Sequence, residues 1–366
     1  CDFLSAPATP EARQEYVMGL CQKIRSYYDL GGLYHVSSIF IGGGTPSLLS
    51  GEQIGQLMDR IREQFAMAQD AEITMEVNPG TASAEKLRNF YTAGINRLSI
   101  GMQSAQTEEL KNLGRIQDFE GFCQVYREAV EAGFTNINVD IMSGLPGQTL
   151  ASYRDTLEKV LHLEPMPQHI SAYSLIVEEG TPFAAMAERG ELPLPEEETE
   201  RAMYEETIEV LAKYGFHRYE ISNYARDGYE CRHNVGYWIR RDYLGFGIGA
   251  ASLIDNVRFQ NEKSLGAYLA HPLESREEEQ TLTVQDRMEE TMFLGLRLTR
   301  GVSCVDFAEQ YGRTVEEVYG EVIARNVADG LLTVTERKEN QKKDRLLALT
   351  KRGLDLSNYV MAQFLF

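Results

Sequence analysis

A chain of 366 residues with 43% hydrophobic and 25% charged side chains can fill one large globular unit plus a smaller one. Its formal net charge of −19 argues against nucleic acid as a partner, because phosphate binding needs a basic surface. No apolar run approaches the roughly 20 residues of a membrane span, and no secretory signal is visible.

Cys1, Cys21, Cys123, Cys231 and Cys304 are scattered and odd in number, which disfavours a disulfide framework and fits a reducing, cytoplasmic setting. The chain opens on Cys1 and not on Met, which reads as a start inside a longer natural sequence.

From about residue 34 to 254, short strand-like runs alternate with amphipathic helical ones. The expected strands are VSSIFIGG, EITMEVNPG, RLSIGMQS, NINVDIMSG, HISAYSL and YEISN. Between them EQIGQLMDRIREQF, AEKLRNFYTAG, FEGFCQVYREAVEAGF and YRDTLEKVLHL have helical spacing. Repeated strand–helix units predict a parallel α/β sheet, open or closed into a barrel.

The first strand runs into IFIGGGTPSLLS, where Gly42, Gly43 and Gly44 permit close backbone approach and Thr45 brings a hydroxyl. Alone, this is a tight strand-to-helix turn, and it lacks the Lys of a phosphate loop. In the next strand Ile73, Met75 and Val77 oppose Thr74, Glu76 and Asn78. The following strands repeat the pattern: Leu98, Ile100 and Met102 oppose Arg97, Ser99, Gly101 and Gln103, and Ile137, Val139 and Ile141 oppose Asn138 and Asp140. A doubly wound sheet buries both faces and reads as continuous apolar runs, so this alternation predicts a barrel with a polar lumen.

Near the end of this region ECRHNVGYW, residues 230–238, holds the single Trp of the chain. On a helix His233 and Tyr237 share a face, as do Asn234 and Trp238. His233 is either a ligand or a hydrogen-bonded anchor that ties this loop to the barrel rim. Cys231 is a second candidate ligand. The glycines of YLGFGIGAAS suit close strand packing better than phosphate contact.

Past residue 255 the rhythm changes, which predicts a first unit over 1–255 and a second over 256–366. EEEQTLTVQDRMEETMFLGLRL reads as a charged connection into a helix. VSCVDFAEQYG and TVEEVYGEVIARNVADG read as two more helices, the latter capped by Gly330. LLTVT and RLLALT form a hairpin, and KRGLDLSNYVMAQFL a final helix. Two helices and a hairpin suggest a winged-helix-like α+β module, with its basic residues confined to a solvated tip.

GGGTPS, EVNPG, GMQS, LGR, VDIMSGLPGQT and ISAYSL occur in order at successive strand ends. This series resembles the radical S-adenosylmethionine family related to oxygen-independent coproporphyrinogen III oxidase, over nearly the whole chain. The resemblance implies a partial parallel β/α barrel of radical-SAM type with the winged-helix-like domain at its C-terminus. It also implies a 4Fe-4S cluster on a Cys-x-x-x-Cys-x-x-Cys loop. Cys1 matches the third ligand, with the first two upstream, and three thiolates leave one iron open for S-adenosyl-L-methionine.

By the same resemblance Gly43, Gly44 and Thr45 touch the methionine part of that cofactor, and Glu76 accepts hydrogen bonds from it. Gln103, Arg115 and Asp140 match further contacts, Asp140 at the ribose hydroxyls. A carboxylate accepts from a vicinal diol and Arg neutralises a carboxylate, so the residue types suit these roles. Tyr173 on the lumen face of ISAYSL is a further candidate. Gln117 stands where the family often has His, so a role that needs that His is not carried over to this chain.

YEISNYARDGYECRHNVGYW matches the haem-chaperone branch of the family, in which the His is implicated in haem binding. The implied function is haem binding and delivery to acceptor proteins, membrane-bound ones included, with the cluster and the S-adenosylmethionine site retained. The alternative is a coproporphyrinogen III oxidase-type enzyme that decarboxylates porphyrinogen propionates. The dedicated enzyme commonly carries a fourth Cys where this chain has Phe3, and its branch lacks the HNVGYW signature; both features favour the chaperone.

Overall fold

The computed structural model describes residue 4 and residues 7–274, 276–339 and 342–365. Helix α1 (Pro10–Arg25) leads to strand β1 (His35–Ile41), followed by α2 (Gly51–Gln64), β2 (Ala66–Val77), α3 (Ala84–Thr92) and β3 (Arg97–Gln103). Helices α4 (Thr107–Asn112) and α5 (Phe119–Glu131) precede β4 (Ile137–Ser143), and α6 (Leu150–Leu161) precedes β5 (His169–Ser174). Then come α7 (Pro182–Glu188), α8 (Glu197–Lys213), β6 (His217–Arg218), β7 (Asn223–Ala225) and α9 (Arg232–Trp238).

Local chemistry starts these helices where the apolar spacing begins. Ser50 and Gln53 close a capping box on α2, and Asp118 caps α5 through the Gly121 N–H. The strands form one sheet in the order β1-β2-β3-β4-β5-β7-β6. β1 to β5 pair in parallel, whereas β7 runs antiparallel to β5 and β6 antiparallel to β7.

The sheet is a curled half-barrel whose two faces follow the alternation in the sequence. Ile73, Met75, Leu98, Ile100, Val139 and Ile141 turn outward and are buried against Leu57, Leu87, Phe90, Phe122, Tyr126 and Leu157 of the surrounding helices. Six such side chains buried at about 2 kcal/mol each outweigh any propensity term, so this apolar face fixes the register. YEISN is not one strand: its Glu220 makes only an isolated bridge to Leu298, and the paired residues lie on either side. The Glu220 side chain explains the break, because it accepts from the Ser222 N–H and the Asn223 amide within its own turn.

Beyond α9 the chain builds two small antiparallel sheets. In the first, β8 (Ala251–Ile254), β9 (Val257–Asn261) and β10 (Arg276–Thr281) take the order β10-β9-β8, with α10 (Leu265–Ala270) inserted between β9 and β10. The β8–β9 hairpin turns at Asp255 and Asn256, so the strands on either side of residue 255 pair with one another. Much of the expected charged connection, EEEQT, is strand β10. In YLGFGIGAAS a Cβ on Gly245 would stand 2.2 Å from the Ala251 carbonyl oxygen, which leaves room for glycine only.

Helix α11 (Val284–Gly295) then leads to the other sheet, in which β11 (Val302–Ser303), β12 (Leu332–Glu339) and β13 (Lys342–Leu349) take the order β11-β13-β12. Around it pack α12 (Cys304–Tyr311), α13 (Val315–Ala328), α14 (Lys351–Asp355) and α15 (Ser357–Ala362). This is the expected helix–helix–hairpin order, with the last helix divided at Leu356. Met292, Leu296, Phe307, Leu347, Val360 and Phe364 form its own core. Among the described residues no helix is long and apolar enough to cross a membrane.

An ion cluster ties the end of α9 to α11. Glu290 accepts from Arg240 Nε at 2.7 Å and from Arg258 at 2.6 Å, with Glu290 and Arg240 almost fully buried. Removing one member of a buried ionic group leaves its partners uncompensated. Glu290→Ala is therefore expected to cost about 3 kcal/mol, read as a lower midpoint in urea unfolding; an unchanged midpoint contradicts this.

Candidate functional site

The inner face of the half-barrel carries the polar residues that the alternation set apart. Low on this face, Asn138 on β4 donates to Ser99 at 2.7 Å and to Asp140 at 2.8 Å. Its carbonyl oxygen meets His169 Nδ1 at 2.6 Å, and His169 Nε2 meets the Tyr219 hydroxyl at 2.8 Å. Arg97 is buried among these groups, 3.4 Å from the Thr74 hydroxyl, and its positive charge bears on Asp140, His169, Cys231 and His233.

At the C-terminal strand ends the expected cofactor residues converge. Gly43, at φ 103°, donates its N–H to Glu76 at 3.1 Å. Nothing stands where a Gly43 Cβ would project, whereas a Cβ on Gly42 would lie 2.8 Å from the Phe40 ring and 3.0 Å from the Glu76 carboxyl. Gln103 takes a positive φ of 69° at a break in register with β4, and its carbonyl oxygen accepts from the Tyr173 hydroxyl at 3.1 Å. Arg115 reaches back over Gly101, about 4 Å from where a Cβ would be. Gly44 and Thr45 sit in the adjoining turn, with Thr45 at the start of a single 3-10 turn.

The carboxyls in this group are electrostatically loaded. Burial, and then the neighbouring Asp140, push Glu76 up to about 7, against the pull of the Gly43 N–H. Burial likewise raises Asp140, while hydrogen bonds from Asn138, Ser171 and Ser99 oppose the shift. Beside Arg115 lies a cleft of about 200 Å³, bounded by Pro79, Thr81, Met102 and Phe122. Gln117 lines the same cleft, packed against Gly80 and Gly121.

His233 lies elsewhere in the lumen, not at the rim. Its Nδ1 meets the Ser38 hydroxyl at 3.0 Å and its Nε2 the Tyr237 hydroxyl at 3.0 Å. The imidazole tilts against Phe40 with 5.2 Å between centroids, so one ring separates it from Gly42 and Glu76 above. Burial pushes His233 down to about 4; Glu72 opposes that shift and Arg97 adds to it.

Glu72 holds this arrangement together. Its carboxylate accepts from the Arg232 N–H and the His233 N–H, each at 3.1 Å, and from the Cys231 thiol at 3.5 Å. It thereby satisfies the exposed donors in the first turn of α9. Cys231 is fully buried with its thiol pushed up to about 11, chiefly by burial, so it faces Glu72 and not an incoming ligand.

Sequence reading missed Glu72, Arg97 and Ser38 as parts of the site. The signal for Glu72 was present, since it continues the spacing of Thr74 and Glu76 on one strand face. Cys1, the expected cluster ligand, lies outside the described residues. The four described cysteines are free, and among the described residues no group of three His, Cys, Asp or Glu is placed to hold a metal.

The curled, mostly parallel half-barrel is a radical SAM fold. Residues 22–160 match the radical SAM superfamily and residues 282–356 the HemN C-terminal domain. Coproporphyrinogen III oxidase (HemN) from Escherichia coli, a radical SAM enzyme, superposes with a TM-score of 0.83 at 26% identity, over 100% of this chain and 86% of that one. The protein named heme chaperone HemW from Bacillus subtilis is 37% identical over 100% of this chain and 95% of its own length. Its namesake from Lactococcus lactis is 34% identical over 100% and 93%. This chain belongs to the HemW family.

The raised Glu76 carboxyl sets a pH dependence of the ligand-free protein. Its folded value of about 7 lies above the ordinary 4.5, so the folded state holds the extra proton between these limits. Glu76 therefore costs stability as pH rises through this window, and nothing below it. Glu76→Gln is expected to be the more stable protein at pH 8 by about 2 kcal/mol, after discounting for partial exposure, and to converge on wild type near pH 4.5. Chemical unfolding at both pH values checks this, and a variant no more stable at pH 8 contradicts it.

Proposed function

We propose that this chain is a cytoplasmic haem chaperone that binds haem and passes it to acceptor proteins, membrane-bound ones among them. It does so while carrying a 4Fe-4S cluster and S-adenosylmethionine in the same half-barrel. The observation that carries this reading is the placement of His233: the HNVGYW helix puts a neutral imidazole inside the lumen that also holds Glu76, Gln103 and Asp140. The names of the relatives support it.

The residues fit a sulfonium nucleotide. Burial and the neighbouring Asp140 disfavour the charged form of Glu76, and a positively charged ligand relieves that load. In this reading the open turn at Gly43, Gly44 and Thr45 receives the methionyl group, and Glu76 accepts from its ammonium. Arg115 pairs with its carboxylate, while Asp140 and Gln103 receive the ribose hydroxyls, with Tyr173 holding the Gln103 amide in place. Cys1 supplies one thiolate to the cluster. When bound, the cluster and nucleotide supply one-electron chemistry.

The likeness to coproporphyrinogen III oxidase favours a second reading, decarboxylation of porphyrinogen propionates. Two assays on the full natural chain separate them. For the chaperone, His233→Ala loses at least 90% of retained haem, and wild type with reduced cluster and S-adenosylmethionine leaves coproporphyrinogen intact. Undiminished haem retention in the variant together with clear turnover by wild type reverses the assignment.

A further inference from the structure

We infer that His233 meets haem iron through Nε2, that Ser38 is the positioning residue that orients the ring, and that Tyr237 is the group the iron displaces. The inference rests on the reading of His233 as the haem ligand and specifies how that ligand is presented.

The two imidazole nitrogens face unlike surroundings. Nδ1 points to Ser38, a residue in the middle of β1, whose backbone is paired to β2 on the barrel wall. No planar macrocycle reaches a nitrogen that faces a strand at hydrogen-bonding distance. Nε2 points to Tyr237, one turn further along the seven-residue α9. The phenol packs edge-on against both His233 and Tyr243, with ring centroids 4.9 and 4.8 Å apart. It sits on a side chain that turns about two torsions, so its hydroxyl leaves Nε2 without disturbing a strand.

One tautomer serves both ends of this arrangement. With Nδ1–H donating to the Ser38 oxygen, the lone pair at Nε2 accepts from the Tyr237 hydroxyl. Exchange of that hydroxyl for iron breaks one hydrogen bond, forms one nitrogen–iron bond and moves no proton. The Nδ1–Ser38 bond persists through the exchange and becomes the outer contact that a metal-bound imidazole needs to keep its orientation and basicity. The Phe40 ring backs the imidazole, and Glu72 fixes the backbone N–H of His233, so the ring has little freedom to turn the other nitrogen outward.

The two neighbours therefore have opposite effects, which general damage to the fold does not reproduce. Ferric haem is titrated into the full natural chain and its variants, with the Soret band as readout. Tyr237→Phe is expected to bind roughly three- to tenfold more tightly, because a competing hydrogen bond is gone. Ser38→Ala is expected to bind about tenfold or more weakly with an altered Soret band, and Ser38→Thr to recover both. In haem-free wild type, ¹⁵N spectra of the imidazole, assigned by its loss in His233→Ala, are expected to show the proton on Nδ1.

Weaker haem binding by Tyr237→Phe, or a proton on Nε2 in the haem-free spectrum, overturns the inference even if His233→Ala loses haem. Full haem retention by His233→Ala overturns the underlying reading of the ligand and the inference with it. A Ser38→Ala protein that unfolds leaves Tyr237→Phe and the haem-free spectrum to decide.

Discussion

The carboxylate of Glu72 is the fixed point of the lumen. The strands of this half-barrel present their polar residues inward, and a buried polar group is costly unless it is partnered. Glu72 accepts from two backbone N–H groups and a thiol of a segment 159 to 161 residues further along the chain. That grip sets the depth at which α9 sits, and so the depth of His233. Four residues further up the same strand face, about 13 Å by strand rise, Glu76 stands among the residues proposed to hold the nucleotide. One strand thus spaces the two parts of the site.

Helix α9 also faces the other way. His233 and Tyr237 look into the half-barrel, while the Trp238 ring lies 4.3 Å beneath the Arg297 guanidinium and Arg240 is clamped by Glu290 of α11. A seven-residue helix on its own has little stability, so its order comes from these contacts at both ends. Helix α9 is thus held on one side by the barrel and on the other by the C-terminal elements.

Much of this was legible in the sequence, and the reason is periodicity. The alternation through Ile73–Val77, Leu98–Met102 and Ile137–Ile141 carried the sheet, its two faces and the polar lumen, because a strand buried on one side has only one way to present its residues. Gly43, Glu76, Gln103, Asp140 and Tyr173, which the resemblance had grouped, lie together on the inner face of the half-barrel. The rest needed contacts that local pattern does not encode. YEISN has strand composition, but Glu220 folds the turn onto itself. EEEQT looks like a solvated link, yet it pairs with β9 as an edge strand with every residue exposed. For His233 the sequence left a ligand and a rim anchor as alternatives, and nothing nearby in sequence reveals Ser38 or Glu72, which meet it only once the barrel has closed around α9.

Amide hydrogen exchange in haem-free protein tests this fixed point most directly. The Arg232 and His233 amides should exchange slowly in wild type and much faster in Glu72→Leu, which has no acceptor, while those of β3 stay equally protected in both proteins. Rapid exchange at Arg232 and His233 in wild type, or protection there that survives the loss of the carboxylate, contradicts the account.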